Sequence, residues 1–550
     1  MKIMRKLSMI GFALSIIFIN ISFVYSQSLW DTANKNKDVL TITTLFTAQG
    51  VRNYLSTTDN LNTAINWCKQ TGITKVYIEA FRGGYYADRE TLINAKKRFL
   101  NEGFEVSGCV TTTRLGRNPV GSGWGSGACY SDEETRENLQ RIFEYTASIF
   151  DEIMIDDFLF TECECEECIT ARGQQSWSDF RNDLMVKMSR ERILKPAKAV
   201  NPNAKVIIKY PLWYDDFQKR GYEVIRESKD FDKIYIGTET RDYNYDIRSS
   251  GEVQYGAYFI MRWLGSIGGD KTGGGWFDAL GTTPNTYLEQ ARQTVLGGAK
   301  EIMLFCYSNL IRKTNFYNGW FGTGVANVDA LRKELPGLFE LARLLHGKNV
   351  KGIHIPKLPN SEPFEEPYVF SFLGMLGLPL VPAYEINEEA GSSIFSVQVL
   401  KRPGFSSTLQ EILDKGTPVV ITDGLAERLT NQTLLKRGNL TVLEVEGEPK
   451  NLLKLTQEEL KPIRDKLLAP MGMHFDAPNK VGLYLFGDNY FVIENFNDRP
   501  VDVTLDFASV SDVSKMLMLP EEENVELSRN QNSVRIRNLS PRSLIAVEYH

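Results

Sequence analysis

Histidine is nearly missing from this sequence. Of 550 residues only His346, His354, His474 and His550 carry an imidazole, and none of them stands between residues 27 and 345. If that stretch holds the chemistry, a Ser-His-Asp relay and a histidine-ligated catalytic zinc are both excluded, and carboxylates have to act as acid and base. Cysteine is also scarce: there are seven, an odd number, and their spacing is not that of a disulfide framework. No basic stripe is present; the net charge is −6 with both signs scattered along the chain, so nucleic acid is not an expected partner. Beyond the first 26 residues no run is long and apolar enough to span a bilayer.

Those first residues have the form of a secretory signal. Lys2, Arg5 and Lys6 precede an apolar run from Leu7 to Val24, and Val24 and Ser26 satisfy the small-residue cleavage rule. The expectation is a signal peptide over 1–26 and an exported chain, periplasmic or secreted, with no membrane partner after cleavage. The run also approaches spanning length, so an uncleaved anchor is the alternative.

From residue 38 to 349, short runs rich in Ile, Val, Phe and Tyr alternate with longer amphipathic stretches, the pattern of βα units on a parallel sheet. The runs lie at 38–46, 75–81, 104–112, 151–160, 204–213, 233–240, 256–264 and 300–308. Eight alternations predict a (β/α)8 TIM barrel over 27–346. A doubly wound open sheet is the alternative, although no Gly-rich phosphate loop follows the first run. After His346 the composition changes: four prolines fall within 347–370, and the strand PVVITDG follows at 418–424. This predicts a flavodoxin-like α/β domain over 347–478. Alternating runs from Asn479 onward predict a small C-terminal β-sandwich over 479–550.

Barrel active sites lie at the C-terminal ends of the strands. Read this way, the second strand offers Glu79 and Arg82, and the fourth Asp156 and Asp157. The fifth offers Lys209, Tyr210 and Trp213, and the sixth Glu239 and Arg241. The seventh, taken as 256–264, offers Arg262 and Trp263, and the eighth Tyr307 and Ser308. Trp276, Trp124 and Trp320 stand in the intervening loops on this reading. Aromatic faces bury the C–H side of a sugar ring, and carboxylates, Arg and Lys bind its hydroxyl rim, so the set points to a carbohydrate substrate. Adjacent Asp156 and Asp157, closing an apolar run, are costly to bury unless used or paired. Asp215-Asp216 stands where a helix should begin, which suits capping.

The segment DDFLFTECECEECITARGQQSWSDF places C-x-C-x-x-C directly after the fourth strand, with GACYSDEETRENL and its Cys129 upstream. These segments, over about residues 127–185, resemble glycoside hydrolase family 42, the β-galactosidases. The resemblance implies a structural zinc held by Cys129, Cys163, Cys165 and Cys168, four thiolates forming a closed site with no catalytic role. A disulfide plus free thiols is the alternative. It also implies the order barrel, flavodoxin-like domain, β domain, with a homo-oligomer formed through the middle domain. The family's catalytic Asn-Glu falls on Asp156-Asp157, which makes Asp157 the acid/base. The family's nucleophile ends the seventh strand, where the run 256–264 has no carboxylate. β-Galactosidase activity is therefore not carried over, and the remaining candidate is Glu239. Retaining α-galactosidase-like barrels also pair carboxylates on the fourth and sixth strands.

The leading reading is therefore a glycoside hydrolase with Asp157 and Glu239 as the working pair, Asp156 beside them, and no catalytic cofactor. A non-catalytic carbohydrate-binding protein on a degenerate barrel is the alternative, motivated by the missing seventh-strand carboxylate. A sugar lyase using Lys209, Tyr210 or Arg241 is a third.

Overall fold

The structure is a computed structural model that describes residues 28–121, 127–241, 253–317, 320–521 and 525–550. The segment 1–26 and Trp124 lie outside the described residues, as does the side chain of Trp320.

Eight parallel strands close into a barrel: β1 (Thr41–Phe46), β2 (Lys75–Arg82), β3 (Glu105–Thr111), β4 (Glu152–Ile155), β5 (Lys205–Tyr210), β6 (Lys233–Gly237), β7 (Thr272–Asp278) and β8 (Glu301–Phe305). Closure is direct. β1 pairs with β2 (Thr43 opposite Lys75) and with β8 (Thr41 opposite Glu301). Because strand side chains alternate, every second residue points inward and the interior forms layers. At the N-terminal end Lys75 donates to Glu152 at 2.7 Å and to Glu301 at 3.0 Å, and Lys233 donates to Glu152 at 3.0 Å. Burial opposes ionisation of Glu152, yet Lys75 and Lys233 outweigh it and hold the carboxyl at about 2. Above this charged plug lies an apolar layer that includes Leu45, Tyr77, Met154, Ile207, Tyr235 and Met303. Two residues further along the strands stand the carboxylates and Lys209 of the barrel mouth.

The seventh strand is not where the apolar run suggested. GAYFIMRWL lies inside a helix, Tyr255–Gly268, and β7 is the following segment TGGGWFD. The helix is apolar nearly all round because it is covered on both sides. One side faces the barrel. On the other, Phe259 stacks on Phe370 with centroids 4.9 Å apart, and the Tyr258 hydroxyl donates to the Leu380 carbonyl at 3.2 Å. A helix buried on both faces has the same unbroken hydrophobicity as a parallel strand. Three glycines conceal β7, since glycine disfavours strands in isolation. Here they answer to close packing: a Cβ on Gly274 would lie 2.3 Å from the Glu301 carbonyl oxygen, and one on Gly275 2.2 Å from Thr294 Cγ2.

Beyond the barrel, strands Ile353–Pro356, Leu380–Ala383, Ser393–Phe395, Val419–Thr422 and Leu440–Leu443 form a parallel sheet in the order 2-1-3-4-5, the flavodoxin-type order. Two antiparallel sheets follow. The first of them also takes in Val350–Lys351, which pairs with Val481–Phe486 before the chain enters the middle sheet. The C-terminal sheets are tied to the barrel by a buried polar network. Arg292 grips Glu334 with two bonds of 2.6 Å and donates to the Arg542 carbonyl at 2.7 Å, while Arg542 reaches Glu289 at 3.0 Å.

Candidate active site

The C-terminal ends of the barrel strands enclose a cavity of about 640 Å³. Its charged floor is built around Lys209, the last inward residue of β5. The ammonium is buried and donates to Asp157 at 2.7 Å and Glu239 at 2.8 Å, with Asp156 at 3.6 Å. It also sits 4.1 Å from the centre of the Trp276 ring, whose face attracts the cation. Burial works against the charge on Lys209, but the three carboxylates raise its pKa above the usual lysine value.

Asp156 and Asp157 are neighbours with opposite environments. Asp156 receives Arg82 Nη2 at 2.6 Å, the Thr111 hydroxyl at 3.0 Å and the backbone N–H of Asp157 at 2.8 Å. Burial opposes its ionisation, but Lys209 and Arg82 overcome that and hold the carboxyl at about 2. Among the described residues Asp157 has only Lys209 as a cationic partner. Burial, together with the charges of Asp156 and Glu239, raises it to about 7 despite that ammonium. One carboxyl of the cavity, Asp157, thus keeps its proton up to near neutrality beside the ionised Asp156. Asp157 and Glu239 share one ammonium, so their facing oxygens are no farther apart than those two bonds laid end to end, about 5.5 Å. That limit lies below the roughly 6.5–9.5 Å that leaves room for a water between the carboxyls of inverting glycosidases.

Several expected residues converge here and others do not. Arg82, Asp156, Asp157, Lys209, Trp213, Glu239, Arg241 and Trp276 all line the cavity, Trp276 from β7 itself and not from a loop. Glu79 is fully buried beneath the floor. It accepts from the Ala48 N–H at 2.7 Å, Arg82 Nε at 2.8 Å and the Thr111 hydroxyl at 2.5 Å, so it anchors Arg82 and does not line the cavity. Tyr210 follows the inward Lys209 and so points out of the barrel, against Phe217 and Tyr222, each with centroids 5.8 Å away. Tyr307 packs among Phe46, Tyr54 and Trp67, while Cys306 and Ser308 on either side line the cavity. Arg262 and Trp263 belong to the helix in place of the seventh strand. Arg262 donates to the Leu296 carbonyl and lies against Tyr258 and Phe486, and the Trp263 indole donates to the Lys357 carbonyl at 2.8 Å.

The true end of β7 supplies a carboxylate that was missed. Asp278 lines the cavity and is gripped by Arg241, Nη2 at 2.7 Å and Nε at 3.1 Å. The signal was available, since WFD closes an aromatic pair between two helical stretches, but the preceding glycines disguised it. The missing seventh-strand carboxylate, the reason to consider a degenerate barrel, is therefore not missing. Asp216, Arg220 and Tyr368 also line the cavity without having been anticipated.

Beside β4, the sulfur atoms of Cys129, Cys163, Cys165 and Cys168 all lie within 4.8 Å of one another. Cys129 is 3.7 Å from Cys165 and 3.8 Å from Cys168. All seven cysteines are free, and these separations exceed any S–S bond. They match instead the roughly 3.7 Å edge of a tetrahedron with metal–sulfur bonds of about 2.3 Å. The Val120 N–H approaches Cys163 Sγ at 3.4 Å, and Arg117 reaches Cys129 Sγ at 3.1 Å and Cys165 Sγ at 3.4 Å. Such donors suit thiolates, so the four residues can hold a metal ion. The loop they pin runs from Asp157 to Cys168. Through Glu162, 2.6 Å from Arg220, it also positions a residue of the cavity wall.

A family model described as the catalytic domain of a probable glycosyl hydrolase matches residues 27–337, and one described as the C-terminal domain of a probable glycosyl hydrolase matches 472–549. An uncharacterized protein of Saccharolobus solfataricus is 27% identical over 401 residues, covering 66% of this chain and 62% of the relative. The alignment thus spans under two thirds of that relative's length. Among solved structures, an apo exo-carrageenase GH42 from Bacteroides ovatus is 11% identical with a TM-score of 0.47, over 93% of this chain and 79% of that one. A noncanonic maltogenic α-amylase from Thermotoga neapolitana is 11% identical with a TM-score of 0.33, over 93% and 98%.

Proposed function

The chain belongs to the probable glycosyl hydrolase family, and on that premise we propose that it hydrolyses a glycosidic bond of a carbohydrate with Asp157 and Glu239. Asp157, protonated near neutrality, gives its proton to the glycosidic oxygen as the C–O bond breaks. Glu239 attacks the anomeric carbon, forming a glycosyl ester. Asp157, now ionised, takes a proton from water, whose oxygen displaces Glu239 and restores both carboxyls. Asp156 holds its charge throughout and keeps the proton on its neighbour. Lys209 fixes the two working carboxyls, and Trp213, partly exposed in the cavity wall, offers an aromatic surface to a sugar ring, whereas the Trp276 ring is buried under Lys209 and Phe305.

The observation that carries this reading is the pairing of Asp157, whose carboxyl burial raises to about 7, with Glu239 over one buried ammonium, their facing oxygens within about 5.5 Å. The test is a panel of 4-nitrophenyl glycosides covering common hexoses in both anomers, with Asp157→Asn and Glu239→Ala. Azide added to Glu239→Ala should return activity as a glycosyl azide. Wild-type turnover retained by either variant sinks the assignment.

A second reading gives the attacking role to Asp278, because it ends β7, where the resembled family has its nucleophile, and faces the same cavity. Azide rescue of Asp278→Ala instead of Glu239→Ala would select it. We propose further that the four-cysteine site holds zinc, and that residues 1–26 direct export and are removed. Elemental analysis and N-terminal sequencing of the mature protein test these two points.

A further inference from the structure

The loop after β5 sorts its residues to two sides. Leu212, Trp213 and Asp216 line the cavity, whereas Tyr214 and Asp215 reach the middle layer, Tyr214 to Ser371 of the helix Val369–Gly374 and Asp215 to Tyr368 at its start. Asp215 is 1% exposed and does not cap a helix. Its carboxylate accepts the Tyr368 backbone N–H at 2.6 Å and Gln398 Nε2 at 3.0 Å, with Lys357 Nζ at 3.4 Å. Three segments of the middle layer thus converge on one acid of the barrel.

Their place in that layer is informative. Lys357 directly follows the strand Ile353–Pro356, and Gln398 lies three residues past Ser393–Phe395. These two strands are adjacent, and the order 2-1-3-4-5 reverses direction between them. In open α/β sheets the crevice outside the carboxyl ends at this switch point is where ligands bind. Here the crevice receives a side chain of the barrel. The third contact sets a cavity residue. Tyr368 has φ +57°, a left-handed conformation unfavourable for a tyrosine, and its N–H is directed at Asp215. Its ring packs edge-on against Tyr214 at 5.0 Å and lines the catalytic cavity.

We propose that Asp215 is a positioning residue that seats Tyr368 of the middle layer in the wall of the sugar cavity, making Tyr368 a determinant of substrate affinity. The switch-point crevice, on this account, serves as the socket for the tether. The proposal rests on the cavity's being the carbohydrate site, and its test separates the two. Asp215→Ala alone would leave Lys357 buried and unpaired, so the variant is Asp215→Ala/Lys357→Met, which removes both charges together. Tyr368→Ala is its counterpart inside the cavity.

For each, KM and kcat are measured with the 4-nitrophenyl glycoside that the wild type binds best. Kd for the same compound is read from tryptophan fluorescence in an Asp157→Asn background. Both variants, folded as judged by cooperative melting, should raise KM and Kd about tenfold while kcat stays within about threefold. Unchanged Kd in folded Tyr368→Ala overturns the proposal. So does a tether variant that keeps wild-type Kd, or one that lowers kcat as much as it raises KM. If the wild type binds the glycoside without hydrolysing it, the hydrolase reading falls, and the Kd comparison still decides this one.

Discussion

Replacing Asp157 with asparagine should destroy activity and stabilise the protein in alkali. The carboxyl is raised from 3.8 to about 7. A group raised on folding contributes stability that is fully present below its unfolded pKa and is lost as pH rises through its folded pKa. For Asp157 the window runs from about pH 4 to about pH 7, and above it the fold has to hold an ionised carboxylate in an unfavourable place. Three units at about 1.4 kcal/mol each set an upper limit of about 4 kcal/mol. The side chain keeps 18% of its exposure, so water screens part of this and about 2–3 kcal/mol is expected. Asparagine has the shape of the neutral acid and keeps an oxygen for Lys209, so it escapes the penalty. Urea unfolding at pH 5 and pH 9 measures the part that lies between them: pH 5 is already about a third of the way through the window, so the stability of the variant relative to wild type should rise by about 1.5–2 kcal/mol between the two pH values. kcat should fall by about 10²–10⁴ through loss of the general acid. An offset that stays the same at both pH values would mean Asp157 is ionised at neutrality, and its role as proton donor would be refuted.

Other outcomes follow from the same geometry. kcat/KM of the wild type should decline on the alkaline side with a midpoint near pH 7, the value at which Asp157 loses its proton; a flat profile to pH 9 counts against it. Asp156→Asn should lose about 3 kcal/mol in urea unfolding at pH 7, since it leaves Arg82 and Lys209 short of a buried counter-charge. Because Asp156 is held at about 2, its contribution is present above about pH 4 and disappears as pH falls through 2. Cys168→Ser should lower the bound metal from one zinc per chain and reduce the melting temperature, with kcat falling because the loop from Asp157 to Cys168 loosens; a protein with no metal and unchanged melting removes the zinc assignment.

What the sequence determined by itself about this protein is whatever its local periodicity and spacing carry. The succession of apolar runs placed Glu79, Asp156, Asp157, Lys209 and Glu239 at the ends of barrel strands, and three cysteines in six residues, completed by Cys129 through the family resemblance, marked a cluster that can hold a metal ion. The near absence of histidine by itself reduced the chemistry to carboxylates. Tertiary structure decided the rest, because burial leaves the same trace in sequence whatever does the burying. The run around Tyr258 reads as a strand because it is apolar throughout, yet it is a helix covered by barrel and middle sheet together. The glycines of β7 read as a loop because only the approach of Glu301 and Thr294 explains them, and Asp278 was hidden with them. Glu79 fell short of the cavity because Arg82 and Thr111 lie over it, and Asp215 could not be told from a helix cap because its partners, Tyr368, Gln398 and Lys357, stand more than 140 residues away in the chain.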